Sequence, residues 1–168
     1  FPRRGEVPPG VFIPIAEETG QIEDIGLFVL QSSVNFIKRA ESLGYTDFSV
    51  SVNFSVRQMQ ASSYVNRLIH FIEKSGISPG RLNIEITESF LIENMSLMVD
   101  KLTQLRDAGF LLSLDDFGKG YSSLSYLKEL PVHFVKIDKL FIDDITYEKK
   151  KRVLVKNIIT LSHNLGLK

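Results

Sequence analysis

Alternating strand and helix patterns, strands with one apolar and one polar face, and polar residues of a single parity at successive strand ends predict an α/β fold. The type they predict is the (β/α)8 TIM barrel, here an incomplete barrel of about four to five parallel strands. A doubly wound sheet is covered by helices on both faces, so its strands are apolar nearly throughout. Here Val50, Val52 and Phe54 oppose Ser49, Ser51 and Asn53. Leu82, Ile84 and Ile86 oppose Asn83, Glu85 and Thr87, and Leu112 and Leu114 oppose Ser113 and Asp115. The apolar faces are expected to pack on helices. The polar faces are expected to point into the barrel, with the last polar residue of each strand near the C-terminal mouth, where barrel active sites are built.

Taken in order, residues 1–15, FPRRGEVPPGVFIPI, hold four prolines and two glycines and read as a loop. Residues 24–43 read as a helix ended by Gly44, and the alternation of 48–55, FSVSVNFS, as a strand. Val65, Leu68, Ile69 and Ile72 have the spacing of a helix face, closed by Gly76. Residues 81–88 alternate again, and Met98, Leu102 and Leu105 mark a helix stopped by Gly109. A strand from 111, a short helix near 122–129 and a strand over 132–138 follow. Leu154, Ile158, Leu161 and Leu165 mark a last helix, with Gly166 as its stop. The order implies parallel strands joined by right-handed crossovers.

Composition narrows the chemistry. The chain has 168 residues, which suits one domain, and its 20 Lys+Arg balance its 20 Asp+Glu, which argues against a surface for a nucleic acid polymer. Arg3 and Arg4 read as solvated loop charges. Cysteine is absent, which excludes thiolate chemistry, disulfides and cysteine-zinc sites. No apolar run approaches the roughly 20 residues of a membrane span, and the N-terminus does not read as a signal peptide. A cytoplasmic location is the expectation.

The residues that point to chemistry sit at strand ends. Asn53, Glu85 and Asp115 come from three successive strands at the same end and with the same parity. Asp116 follows at once, Lys136 lies late on the next strand, and Asp138 is two residues on. Two adjacent carboxylates repel, and desolvation makes this worse. They either turn into water, as a solvated turn or a helix cap, or carry a cation. Four consecutive strands each ending in a polar group of one parity favour a metal or phosphate site. The donors are hard oxygens, which suit magnesium or manganese, and metal pairs are a common device for cleaving phosphate esters. Gly118 and Gly120 would let the backbone approach a ligand or move as a lid. His70, His133 and His163 read as structural or exposed.

The stretches VPPGVFIPIAEETG, SVNFS, IEITES, LDDFGKGYSSLSYLK and VKIDKLF together resemble the cyclic-di-GMP phosphodiesterase domain named for its Glu-Ala-Leu motif, the EAL domain. The resemblance covers nearly the whole chain. It implies a (β/α)8 barrel with one reversed strand and hydrolysis of the bacterial second messenger cyclic di-GMP to linear pGpG with two Mg2+ or Mn2+ ions. It implies metal-ligand roles for Asn53, Glu85, Asp115 and Asp116, and a role for Lys136 in orienting or activating the attacking water. Glu88 would anchor the loop Phe117, Gly118, Lys119, Gly120, Tyr121, Ser122 and Ser123, which completes the metal site and bears on dimer contacts. Lys119 departs from the threonine usual there, which puts that loop's behaviour in question. The Glu-Ala-Leu strand would precede Phe1, and strands with a further catalytic glutamate and a glutamine would follow Lys168. Residues 1–168 are thus expected to be a partial domain, inactive alone and self-associating. The longer protein is expected to be a cytoplasmic bacterial enzyme, homodimeric, with sensory or GGDEF-type neighbours. A non-catalytic cyclic-di-GMP receptor is the alternative. An enolase-like barrel is a third reading, opposed by the serine-glycine loop after Asp116.

Overall fold

The structure is a computed structural model and describes residues 5–88, 95–118 and 127–168. Its centre is a parallel four-stranded sheet in the order β1 (Val50–Asn53), β2 (Leu82–Thr87), β3 (Leu111–Phe117) and β4 (Phe134–Ile137). Among the described residues the sheet is not closed. The backbone of Lys168 continues it beyond β4, with Val135 N–H donating to Lys168 O at 2.9 Å and Lys168 N–H donating to His133 O at 3.0 Å. Pairing is in register at Val52↔Ile84 and Ile84↔Leu112. The expected alternation is therefore real: Val52, Ile84, Ile86, Leu112 and Leu114 share one continuous core with residues from the helices.

The helices follow from apolar periodicity and their stops. Helix α1 spans Pro9–Thr19 and α2 Ile22–Ser42, and the stripe Leu30, Val34 and Ile37 of α2 is buried. A short α3 (Val56–Gln60) precedes α4 (Tyr64–Ser75), which buries Val65, Leu68 and Ile72 and ends at Gly76 with φ 75°. Helix α5 (Met95–Asp107) buries Met98, Leu102 and Leu105. A four-residue α6 (Lys139–Ile142) and α7 (Lys149–Asn164) complete the chain.

Helix α1 corrects the expectation of a loop over residues 1–15. Its prolines sit where a helix tolerates them: Pro9 opens the first turn, whose N–H groups have no intrahelical partner. Pro14 lies inside and removes one hydrogen bond without ending the helix. The short helices α3 and α6 carry too few apolar positions to show a period. The expected short helix near 122–129 falls mostly on residues 119–126, outside the described residues.

The inner face of the sheet is polar, and its middle, at Asn83, Glu85 and Ser113, is buried. Asn83 donates from Nδ2 to Ser51 Oγ at 3.0 Å and accepts at Oδ1 from Ser113 Oγ at 2.8 Å. This ladder crosses three strands and satisfies groups that would each cost about 1–3 kcal/mol if buried unpaired. Another buried polar group, Lys101 of α5, donates to the carbonyls of Met59 and Ala61, closing the C-terminal end of α3. Burial holds its ammonium below the usual lysine value.

His133 joins two strands, because its Nδ1 accepts from Leu112 N–H at 3.1 Å. Burial, and then the charge of Arg106, hold its pKa below 6.5. As pH falls through 6.5, the unfolded chain takes a proton that the folded imidazole refuses. Stability therefore falls with pH in that window and levels off below the lowered folded value. Protonation at Nδ1 also breaks the bond to Leu112. The variant His133→Asn keeps an acceptor near that position but does not titrate. Melting temperatures measured between pH 7.5 and 5 should fall less in the variant than in the wild type.

Candidate functional site

The site is built by parallel register. Asn53 pairs with Glu85, and Asp115 pairs with Thr87, two residues beyond Glu85. Side chains alternate faces along a strand, so Asn53, Glu85 and Asp115 share the inner face at the C-terminal end of the sheet. Lys136 meets them from β4. Its Nζ lies 2.9 Å from Glu85 Oε2 and 3.0 Å from Asp115 Oδ2, so one ammonium bridges carboxylates from two other strands. The side chain of Glu85 is only 6% exposed, that of Asp115 23% and that of Lys136 45%. Partial burial lowers the Lys136 pKa, but the hydrogen bonds and charges of Glu85 and Asp115 outweigh it and raise the pKa above 10.5.

Asp116 reaches the same cleft by a different route. Between Leu114↔Val135 and Phe117↔Ile137, strand β3 spends one residue more than β4. Asp115 and Asp116 thus stand together opposite Lys136, a bulge in a parallel pair. Asp116 has φ 55°, the left-handed region that aspartate tolerates better than most residues. Its N–H donates to Asp115 Oδ1 at 2.9 Å. Both aspartates line a cleft of about 470 Å3 with Lys136, Asp138 and Lys139. A larger groove of about 810 Å3 lies among Phe36, Leu43, Tyr45 and Phe48, near the start of β1. It has little convergent polar chemistry, so the smaller cleft is the candidate.

Two further carboxylates shape the surroundings. Glu88 is 4% exposed, and its Oε2 accepts from Gly118 N–H at 3.1 Å. Gly118 has φ 102°, and a Cβ there would run into the ring of Phe141. Asp138 accepts from Leu140 N–H at 2.7 Å and so caps α6. The sequence groups Asp138 with the hard oxygen donors near Lys136; in the structure it is a cap, of which an Asp before a short apolar run is the signal. Phe117 is buried in the core rather than exposed in a loop. Lys119, Gly120, Tyr121, Ser122 and Ser123 lie outside the described residues. His70 and His163 are exposed on helices, and His133 is at the opposite end of the sheet from the cleft.

Among the described residues, no three His, Cys, Asp or Glu side chains are gathered tightly enough to hold a metal ion by themselves. The Lys136 ammonium instead lies between the two carboxylates. The donor chemistry nonetheless fits a hard divalent cation. Glu85, Asp115 and Asp116 formally carry three negative charges against one positive charge on Lys136. Two remain for a cation to balance, and Asn53 adds a neutral amide oxygen. Among the described residues no helix is long and apolar enough to cross a membrane.

Comparison with known proteins gives one family. The family model for the EAL domain matches residues 2–168. The chain is 41% identical over 160 residues to the signaling protein YkoW of Bacillus subtilis, covering 95% of this chain and 20% of that protein. It spans between a fifth and a quarter of the first relatives it matches, at 20%, 24% and 20% of their lengths. The structure of the PaMucR phosphodiesterase in complex with c-di-GMP superposes with a TM-score of 0.93 at 34% identity, covering 100% of this chain and 68% of that one. BlrP1 of Klebsiella pneumoniae, in a manganese and cyclic-di-GMP complex, superposes with a TM-score of 0.73 at 28% identity, covering 87% of this chain and 38% of that one.

Without Lys136, Glu85 would face Asp115 across a half-dry site with no cation between them. Hydrogen bonds to charged groups contribute about 1.5–3 kcal/mol, and solvent screens part of this because Lys136 is half-exposed. Lys136→Met should therefore cost about 1–2 kcal/mol, seen as a lower urea midpoint with an unchanged slope.

Proposed function

The chain belongs to the EAL domain family, and from that premise we propose that it is the central part of a domain hydrolysing cyclic di-GMP to pGpG. The observation that carries this reading is the Lys136 ammonium bridging Glu85 and Asp115 at the mouth of the parallel sheet. A phosphodiester is cleaved when a water is aimed at phosphorus and the charge that develops is neutralised. The relatives support the substrate: the superposing PaMucR structure is a phosphodiesterase complexed with c-di-GMP. They also support a metal, since the BlrP1 complex contains manganese.

In this reading Asn53, Glu85, Asp115 and Asp116 hold Mg2+ or Mn2+. When bound, such ions lower the pKa of a coordinated water and stabilise charge on phosphate oxygens. Glu85 and Asp115 also orient Lys136, which acts by holding the water and the developing charge. Glu88 fixes Gly118 and so the start of the loop that follows the aspartates. Homodimerisation and sensory or GGDEF-type neighbours belong to the same proposal. Residues 1–168 alone are expected to be inactive and to self-associate, because the sheet is open and edge strands seek partners.

The test is a magnesium- or manganese-dependent assay of cyclic di-GMP cleavage by the intact protein. Glu85→Gln and Asp115→Asn should each abolish turnover. Retained substrate binding without any turnover in the wild type would make the domain a receptor instead. Lys136→Ala should lower kcat by about 10²–10³-fold, the usual effect of removing one charge-stabilising group, with much less change in substrate affinity. A weakened affinity at unchanged kcat would show that Lys136 binds substrate rather than serving the reaction.

A further inference from the structure

Asn53 is the least supported of the site residues. It ends a four-residue strand that, among the described residues, has a ladder on one side only. Its side chain is exposed and, among the described residues, makes no hydrogen bond. An amide oxygen is a useful ligand only when the backbone that carries it is fixed. The fixing is found just after it. Phe54 N–H donates to Glu85 O at 2.9 Å, and Phe54 itself is buried edge-on against Tyr64.

Ser55 then begins α3 with a reciprocal cap: its N–H donates to Gln58 Oε1 at 3.0 Å, and its Oγ accepts from Arg57 N–H at 3.2 Å. Gln58 is 2% exposed and donates on to Tyr64 Oη at 2.9 Å. Gly26 of α2 packs so closely on Gln58 that a Cβ there would overlap its amide. These bonds all stay within the segment from Asn53 to Tyr64. One more bond leaves it. The Ser55 hydroxyl donates to Glu17 Oε1 of α1 at 2.6 Å, across 38 residues of sequence. A hydroxyl bonded to a carboxylate at that distance is a strong hydrogen bond. It also fixes the hydroxyl rotor, which leaves a lone pair for Arg57 N–H.

We infer that Glu17 is a positioning residue for the site: its carboxylate holds Ser55 and, through it, the Asn53 amide at the end of β1. The inference rests on the proposed function only in what the amide is held for, a divalent cation. Helix α1, which packs on α2, thus has a task at the end of β1. It contributes a carboxylate that acts through Ser55.

Two readouts test it in the intact protein. In the first, Mn2+ alone is titrated and the free ion is followed by electron paramagnetic resonance. Glu17→Ala should weaken binding by about 10–100-fold, as expected for a partner one step removed from a ligand, and Glu17→Gln, which still accepts, by less. In an Asn53→Ala background, Glu17→Ala should add nothing. In the second, the metal-free protein is labelled with 15N-asparagine, and the Asn53 amide pair is assigned by its loss in Asn53→Ala. That pair should shift or broaden in Glu17→Ala and in Ser55→Ala, but not in Glu18→Ala, which alters a neighbouring exposed acid. An unmoved Asn53 pair in Glu17→Ala overturns the inference, as does a loss of Mn2+ binding fully additive with Asn53→Ala. A wild type that neither binds Mn2+ nor cleaves cyclic di-GMP would sink the functional reading instead. The resonance of Asn53 would still decide the role of Glu17.

Discussion

The site depends on one extra residue in β3. A regular strand would send Leu112, Leu114 and Asp116 to the core and turn Phe117 into the polar face. The register shift after Leu114 prevents this: Phe117 is 1% exposed in the core, and Asp115 and Asp116 both line the cleft. The energies favour the bulge. A non-glycine residue in the left-handed region costs about 1–2 kcal/mol, at the low end for aspartate. Burying a phenylalanine contributes about 1.5–3 kcal/mol, and burying a carboxylate in its place would cost several. The core therefore sets the bulge, and the bulge presents two adjacent carboxylates to one lysine.

The same division of labour runs through the sheet. Its outer face is uniformly apolar and joins α2, α4 and α5 in one core, which carries the stability. Its inner face is polar and dry only at Asn83, Glu85 and Ser113, where it is tolerable because each buried group has a partner. Ser51, Asn83 and Ser113 satisfy one another, and Glu85 is satisfied by Lys136 one layer above. A buried ion pair is weak evidence for stability, since desolvation offsets much of its attraction. A ladder of neutral hydrogen bonds below and a charged cluster at the mouth is better understood as preorganisation. The charges are held where a ligand can reach them, on strands too constrained to collapse around them.

Much of this was legible in the sequence, for a definite reason. Strand alternation is a period of two, and every residue of VSVN and LNIEIT obeys it, so the shared parity of Asn53, Glu85 and Asp115 could be read directly. The bulge could not, because the alternation breaks only at Asp116, where a second polar residue two positions before a glycine already looks like the start of a loop. Helix α1 was hidden by its prolines, of which Pro9 is tolerated in the first turn and Pro14 removes one hydrogen bond without ending the helix. Glu17 was hidden by distance: no pattern along the chain joins it to Ser55, and only packing of α1 beside the end of β1 brings them together.

That packing points to a general feature of this site, which is that strand ends are fixed from outside the sheet. Ser55 caps α3 two residues after Asn53, and Asp138 caps α6 two residues after Lys136. Glu88 follows β2 at once and holds the backbone at the end of β3. Each is a polar side chain accepting a backbone N–H at the point where a strand gives way to a helix or a loop. Such bonds contribute only about 1 kcal/mol apiece, too little to decide whether the chain folds. They are enough to decide where the last residue of each strand points, because a strand end has no ladder beyond it. In a parallel sheet every one of these ends lies on the same side, so modest local caps add up to one rigid rim. The chemistry is placed on that rim, and the core beneath it has no stake in which oxygen or nitrogen the rim carries.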